Sequence, residues 1–252
     1  MSKVFDRLFF CGPTSLGDSY IANGIVHHFA DQCHELHLPV FPHFYKTLSC
    51  LYQDFPNIKV VPMFPHELGE DQYVQENHLS RILRNSLYTA NVNGQNLSID
   101  FDLQTYDFYN LPFSLRYTNF RFPKKVDGSD ELFDCLYKGR PYALIHRRTS
   151  HHPNGIPIEI HGFRMSHGLP ELDYIEVDES LDDKNMLKWI KLIENASEIH
   201  CVSSSFWALV DSILPRVTAN LFFHDVRAFS LTRVNCEWNN ARWCIVGYGN
   251  KI

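Results

Sequence analysis

Short apolar runs alternate with segments of helical period, and the alternation occurs twice along the chain. In the first half RLFFC (7–11), HELHLPVF (34–41) and IKVVPMF (58–64) read as strands. Between them, Ser19–Ala30 places Ile21, Ala22, Ile25, Val26 and Phe29 at the i, i+3, i+4 spacing of a helix lying on a sheet, and TLSCLYQDF (47–55) reads as a second helix. In the second half YALIHRR, LDYIEVD, EIHCV and VTANLFFH read as strands and SSFWALVDSIL as a helix. The segment SLDDKNMLKWIKLIENA reads as a helix opened by a capping box of Ser180 and Asp183. Strand and helix in strict alternation specify a parallel sheet with helices on its faces. The chain is therefore expected to be α/β, in two halves.

Between the halves the pattern weakens. ENHLSRILRNSLYTA (76–90) is expected to be a helix, and the aromatic tract 100–123 a connection that wedges rings under one domain. Gly, Asp and Lys cluster in KKVDGSDELFDCLYKGRP (124–141), which sets the expected domains at 1–125 and 126–252. No internal repeat of fixed short period is present.

Composition narrows the classes of partner. A net charge of −6 disfavours a broad nucleic-acid or anionic-membrane surface, so an anionic ligand would be held locally. Seven cysteines without a CxxC pair point to free thiols in a reducing, cytoplasmic setting. No stretch approaches the roughly 18 apolar residues of a membrane span, so a soluble protein is expected.

Three loops follow expected strands at their carboxyl ends, where open α/β sheets bind ligands. PTSLGDS carries Gly17, read as allowing a tight backbone approach, and Asp18, read as a helix cap that can also take a proton from a hydroxyl. HRRTSHH carries Arg147 and Arg148, whose planar forks suit a diphosphate, with His151 and His152 adjacent. In SSSF the hydroxyls of Ser203, Ser204 and Ser205 and the free N–H groups of a helix start make a phosphate-oxygen site; a simple cap is the competing reading. His34-x-x-His37 is a weak metal pattern, and no metal site is expected.

Taken together, SLGDSYIANGIVHHFA (15–30) and LKWIKLIENASEIHCVSSSFWALVDSIL (187–214) resemble the two-domain GT-B glycosyltransferases, in their heptosyltransferase-like and fucosyltransferase-like group. The resemblance implies two Rossmann-like α/β/α domains facing across a cleft, in a compact version: an acceptor-side domain first and a nucleotide-sugar domain second. It implies a metal-independent, inverting transfer from a nucleoside-diphosphate sugar, UDP- or GDP-linked, to a hydroxyl of an oligosaccharide or glycoprotein acceptor. Asp18 would be the base, Arg147 or Arg148 would meet the diphosphate, Ser203, Ser204 and Ser205 would face the same phosphates, and Glu176 and Asp178 would bond ribose or donor sugar. No cofactor beyond the sugar nucleotide is implied, and no nucleic acid or membrane partner. The first loop departs from the family in having Thr14 or Ser15 at its usual first glycine, and the late loop has serines where relatives carry Asp-Thr-Gly or Asp-Ser. A nucleotide-sugar epimerase of similar shape and a non-catalytic nucleotide- or sugar-binding module are the alternatives; a Ser-His-Asp hydrolase is disfavoured for want of a G-x-S-x-G elbow.

Overall fold

The computed structural model describes residues 4–12, 15–64, 69–82, 90–92, 95–97, 101–149, 154–169, 171–226, 234–236 and 239–248. The chain divides into two compact units, Met1–Val126 and Asp127–Ser230 with Val234–Ile252.

The first unit is built on a parallel sheet of β1 (Phe5–Phe10), β2 (Cys33–Val40), β3 (Ile58–Pro62) and β4 (Ser80–Ile82), in the order β3-β2-β1-β4. Leu8, Phe9 and Phe10 are all buried, as a strand covered on both faces requires. Each such side chain contributes roughly 1.5–3 kcal/mol of burial. The expected single helix over Ser19–Ala30 is two, α1 (Leu16–Ile21) and α2 (Asn23–Ala30), meeting at Ala22. Across α2 lies the aromatic tract, which is not a plain connection: it forms α5 (Phe101–Phe108) and α6 (Leu115–Thr118). Its polar anchors hold the break between α1 and α2. Tyr106 Oη donates to the Ile21 carbonyl at 2.8 Å, and Asn23 Oδ1 accepts from the Arg121 backbone N–H at 2.9 Å. Gly24 lets α6 come this close, because the Leu115 carbonyl occupies the space a Cβ would need.

The expected helix over 76–90 is not formed. The helix α4 (Gly69–Glu76) ends where that reading begins, and Ser80–Ile82 instead pairs with β1; residues 83–89 lie outside the described residues. An open edge beside β1 outweighs local helical period, since it satisfies the backbone of both strands. A further helix, α3 (Tyr45–Leu51), joins β2 to β3, and a short antiparallel pair, β5 (Ala90–Val92) and β6 (Gln95–Leu97), stands apart from the sheet.

The second unit carries five parallel strands: β7 (Tyr142–His146), β8 (Asp173–Glu176), β9 (Glu198–Val202), β10 (Asn220–Asp225) and β11 (Trp243–Gly247), ordered β11-β10-β9-β7-β8. Helices α7 (Ser129–Leu136), α8 (Ile160–Ser166), α9 (Ile190–Asn195) and α10 (Ser205–Ser212) accompany it. Every residue of α10 from Phe206 to Ser212 is buried, so this helix is central to its unit. Each sheet buries a cysteine completely, Cys33 in β2 and Cys201 in β9, while Cys135 and Cys244 are exposed. No helix among the described residues is long and apolar enough to cross a membrane.

Candidate active site

In each sheet the strand order reverses beside the first strand of its unit: β1 lies between β2 and β4, and β7 between β8 and β9. Loops diverge at the carboxyl ends of such strands and leave a crevice. The loops singled out in the sequence follow β1, β7 and β9.

After β1, the helix start is capped by Ser15 and not by Asp18. The Ser15 hydroxyl accepts from the Asp18 N–H at 3.2 Å, while the Asp18 carboxylate reaches back to the Ser15 hydroxyl and backbone N–H. Ser15 and Asp18 thus form a capping box, with Asp18 at its third helical position. Burial pushes the Asp18 carboxyl above its ordinary range, against the two bonds from Ser15. Gly17 lies inside the first turn with no left-handed φ, so it supplies no special turn.

After β9, Ser204 is the cap of α10. Its oxygen accepts from the Trp207 N–H at 3.3 Å, lies 3.1 Å from the Val202 carbonyl, and lies 3.1 Å from His146 Nδ1 at the end of β7. A hydroxyl has one proton and two lone pairs, so these three contacts occupy Ser204 fully. Ser203 and Ser205 are half-buried and make no hydrogen bond through their hydroxyls among the described residues. The bond between Ser204 and His146 ties the ends of β7 and β9 together at the switch point.

Sequence reasoning missed His146. It is 2% exposed, stacks on Phe206 with ring centroids 4.9 Å apart, and has its pKa lowered to about 3 by burial and by the charge of Arg148. Parity was the available signal: His146 shares a strand face with Leu144 and Arg148, two residues either side.

The two arginines are already engaged. Arg147 makes a two-pronged pair with Glu176, Nε to Oε1 at 2.8 Å and Nη2 to Oε2 at 3.0 Å. Its side chain also packs over Gly155, whose φ of +88° favours glycine and where a Cβ would crowd the Arg147 stem. Arg148 is held more loosely, Nη1 lying 3.5 Å from Asp178 Oδ1, and its Nε is buried without a hydrogen-bond partner. Glu176 and Asp178 therefore meet the arginines, one each. His151 and His152 lie outside the described residues. His34 is exposed while His37 is buried against Glu35 and Tyr73, so the spaced pair faces opposite ways. Among the described residues no group of three or more His, Cys, Asp or Glu is arranged to hold a metal.

No protein-family model matches the chain, and no curated protein matches it either. Solved structures do. The structure of E. coli ADP-heptose LPS heptosyltransferase II matches at a TM-score of 0.54 and 10% identity, over 95% of this chain and 90% of that one. A glycosyl transferase of family 9 from Veillonella parvula DSM 2008 matches at 0.56 and 6%, over 98% and 87%. The iron-containing dodecameric glycosyltransferase TibC from enterotoxigenic E. coli H10407 matches at 0.58 and 13%, over 99% of this chain and 65% of that one. The chain has the GT-B-like fold of the heptosyltransferases. In this GT-B-like chain the sheet ends carrying Asp18 and Ser204 are the first-strand and mid-sheet switch points of the two units, one in each.

Proposed function

We propose that the protein is an inverting, metal-independent glycosyltransferase that moves a sugar from a nucleoside-diphosphate sugar to a hydroxyl of a glycan acceptor. The observation that carries this reading is the switch point of the second sheet. There Arg148, with an unpartnered Nε, follows β7, and the Ser203 and Ser205 hydroxyls stand at the open N-terminus of the eight-residue α10. Such an end presents backbone N–H groups and a partial positive charge to a phosphate, and the arginine adds a full one. Together they would stabilise the negative charge that grows on a departing nucleoside diphosphate, the service a metal ion performs elsewhere. Ser204 serves by shaping the loop, since its hydroxyl is occupied.

Asp18 is the proposed base on the acceptor hydroxyl. A carboxylate pushed upward by burial is a better proton acceptor once ionised than an exposed one. Proton removal as the acceptor oxygen attacks the anomeric carbon, with the diphosphate leaving from the opposite face, inverts that carbon in one displacement.

Thermal shift with UDP, GDP, ADP and CMP tests the reading directly, because a ligand bound only to the native state raises Tm. A rise with at least one diphosphate, lost in Arg148→Gln, is expected. No shift with any of the four overturns it.

A further inference from the structure

One face of the second sheet carries a line of buried polar groups that the proposed reaction does not use. Glu198 and His200 are alternate residues of β9, and His224 of β10 shares their face through the pairing of His200 with Phe222. From the helix α8, Arg164 pairs with Glu198, and both side chains are almost completely buried. Glu198 Oε2 lies 3.2 Å from His200 Nε2, His200 Nδ1 lies 2.9 Å from His224 Nε2, and His224 Nδ1 lies 2.7 Å from Tyr248 Oη. The Tyr248 oxygen also takes a backbone hydrogen bond from Glu159, the residue that precedes α8. The line therefore starts on α8 and ends on the residue that leads into it.

Counting protons fixes its direction. Burial alone would raise Glu198, but the bonds from His200 and Arg164 leave it below its ordinary range, so it is a carboxylate and can only accept. His200 must then donate through Nε2 and, being neutral, accept at Nδ1. His224 must donate through Nε2 and accept at Nδ1, and Tyr248 must supply the proton. One arrangement satisfies all four groups. An added proton on either ring puts an N–H on His224 Nδ1, and the Tyr248 hydroxyl loses its acceptor.

Among the described residues, little else holds α8 in place. Ile160 and Arg164 are its buried residues, Phe163 packs edge-on against Phe222 at 5.2 Å, and Met165 is 71% exposed. We propose that His200 and His224 form a pH-sensitive latch that holds α8 on the sheet while both rings are neutral and releases it on acidification.

Among the described residues, the groups around the pair are these. Arg164 from α8 opposes a cation on His200, Glu198 favours one, and each ring opposes a charge on the other. Ala143 and Ile145 of β7 are apolar, Glu159 and Tyr248 meet at the far end, and His161 of α8 and His167, just after it, are exposed. Burial is the largest influence on both rings and lowers both; His224 falls from 6.5 to about 3. A histidine held below its free value is neutral when docked and protonated when released. Docking is therefore fully stable above pH 6.5 and weakens as pH falls from there toward 3.

Amide hydrogen exchange of the whole chain, corrected for intrinsic rates, reads the latch. With both rings taking protons in the open state, the opening constant of α8 rises about 100-fold between pH 7.5 and 5.5, while α10 changes far less. Nitrogen-15 spectra at neutral pH show both imidazoles as the Nε2–H form. Tyr248→Phe, which removes one donor and little volume, raises α8 opening at pH 7.5. Exchange of α8 that does not vary with pH, an Nδ1–H form at either ring, or a Tyr248→Phe variant with unchanged α8 exchange overturns the proposal.

Discussion

Ser15-Leu16-Gly17-Asp18 and Ser180-Leu181-Asp182-Asp183 differ at one position, yet only the first begins a helix. In the first, serine and acid exchange hydrogen bonds across the opening turn of α1. In the second, Asp178 Oδ1 accepts from the Ser180 N–H at 3.0 Å, Asp183 and Lys184 adopt positive φ of 52° and 60°, and Asn185 caps the turn at Met186–Trp189 that leads into α9. Two competitors decide the outcome. Asp178 claims the amide, and the third residue, Asp182, turns inward to accept from Trp189 Nε1 at 3.3 Å. Where that third residue is Gly17, nothing pulls the turn away. A four-residue signal acts only when its neighbours leave the backbone groups to it.

Substitutions at the two quartets separate their roles. Asp18→Asn keeps the shape of the capping box and removes the base, so sugar transfer is expected to fall by about two orders of magnitude, near 2.7 kcal/mol of barrier, with nucleotide binding intact. Unchanged turnover would sink the assignment of Asp18. In wild type, activity should climb with pH through a value above the ordinary aspartate range, since Asp18 must be ionised to act.

Asp182→Asn acts on stability instead. Burial raises the Asp182 carboxyl from 3.8 to about 6, so the folded state favours its protonated form. The group's contribution is complete below pH 3.8 and is lost as pH rises through about 6. The amide should thus stabilise the fold by about 3 kcal/mol at pH 8 and far less at pH 4, because each tenfold change in proton affinity on folding is worth about 1.4 kcal/mol. Urea unfolding at the two pH values measures it, and an equal effect at both would refute the buried-carboxyl account.

Ser15→Ala should cost about 1 kcal/mol as a lost cap, whereas Ser180→Ala should cost almost nothing, because only the first hydroxyl caps a helix. Equal losses would erase the distinction between the quartets. The smallest effect is a gain: Asp183→Gly relieves a left-handed residue and should add a few tenths of a kcal/mol, read as a small rise in Tm.

Much of the architecture was legible for a physical reason. β1, β2, β7, β9 and β10 are covered strands, and their apolar letters, Leu8–Phe10, Leu36 to Val40, Ala143–Ile145, Ile199 to Val202 and Leu221–Phe223, stand out even where a buried histidine or glutamate interrupts them. β4 did not, because three residues including Ser80 and Arg81 carry no apolar pattern and are recruited by the free edge of β1. The edge strand β11 was also passed over; Cys244 and Ile245 are exposed on it, so its apolar letters do not mark a core. At the site, residue types and loops were readable, but pairings were not. That Ser204 is bonded to His146, 58 positions away, and Arg147 to Glu176, 29 away, depends on the order of strands in space.

Cys33 and Cys201 give each sheet a sealed thiol of its own. Burial holds the Cys201 thiol well above its ordinary pKa, so little reactive thiolate forms while β9 stays covered. After rapid modification of the exposed Cys135 and Cys244, the slow labelling of these two residues becomes a pair of independent clocks. One times the opening of each unit, and whether they run at the same rate tells whether the two units breathe together or apart.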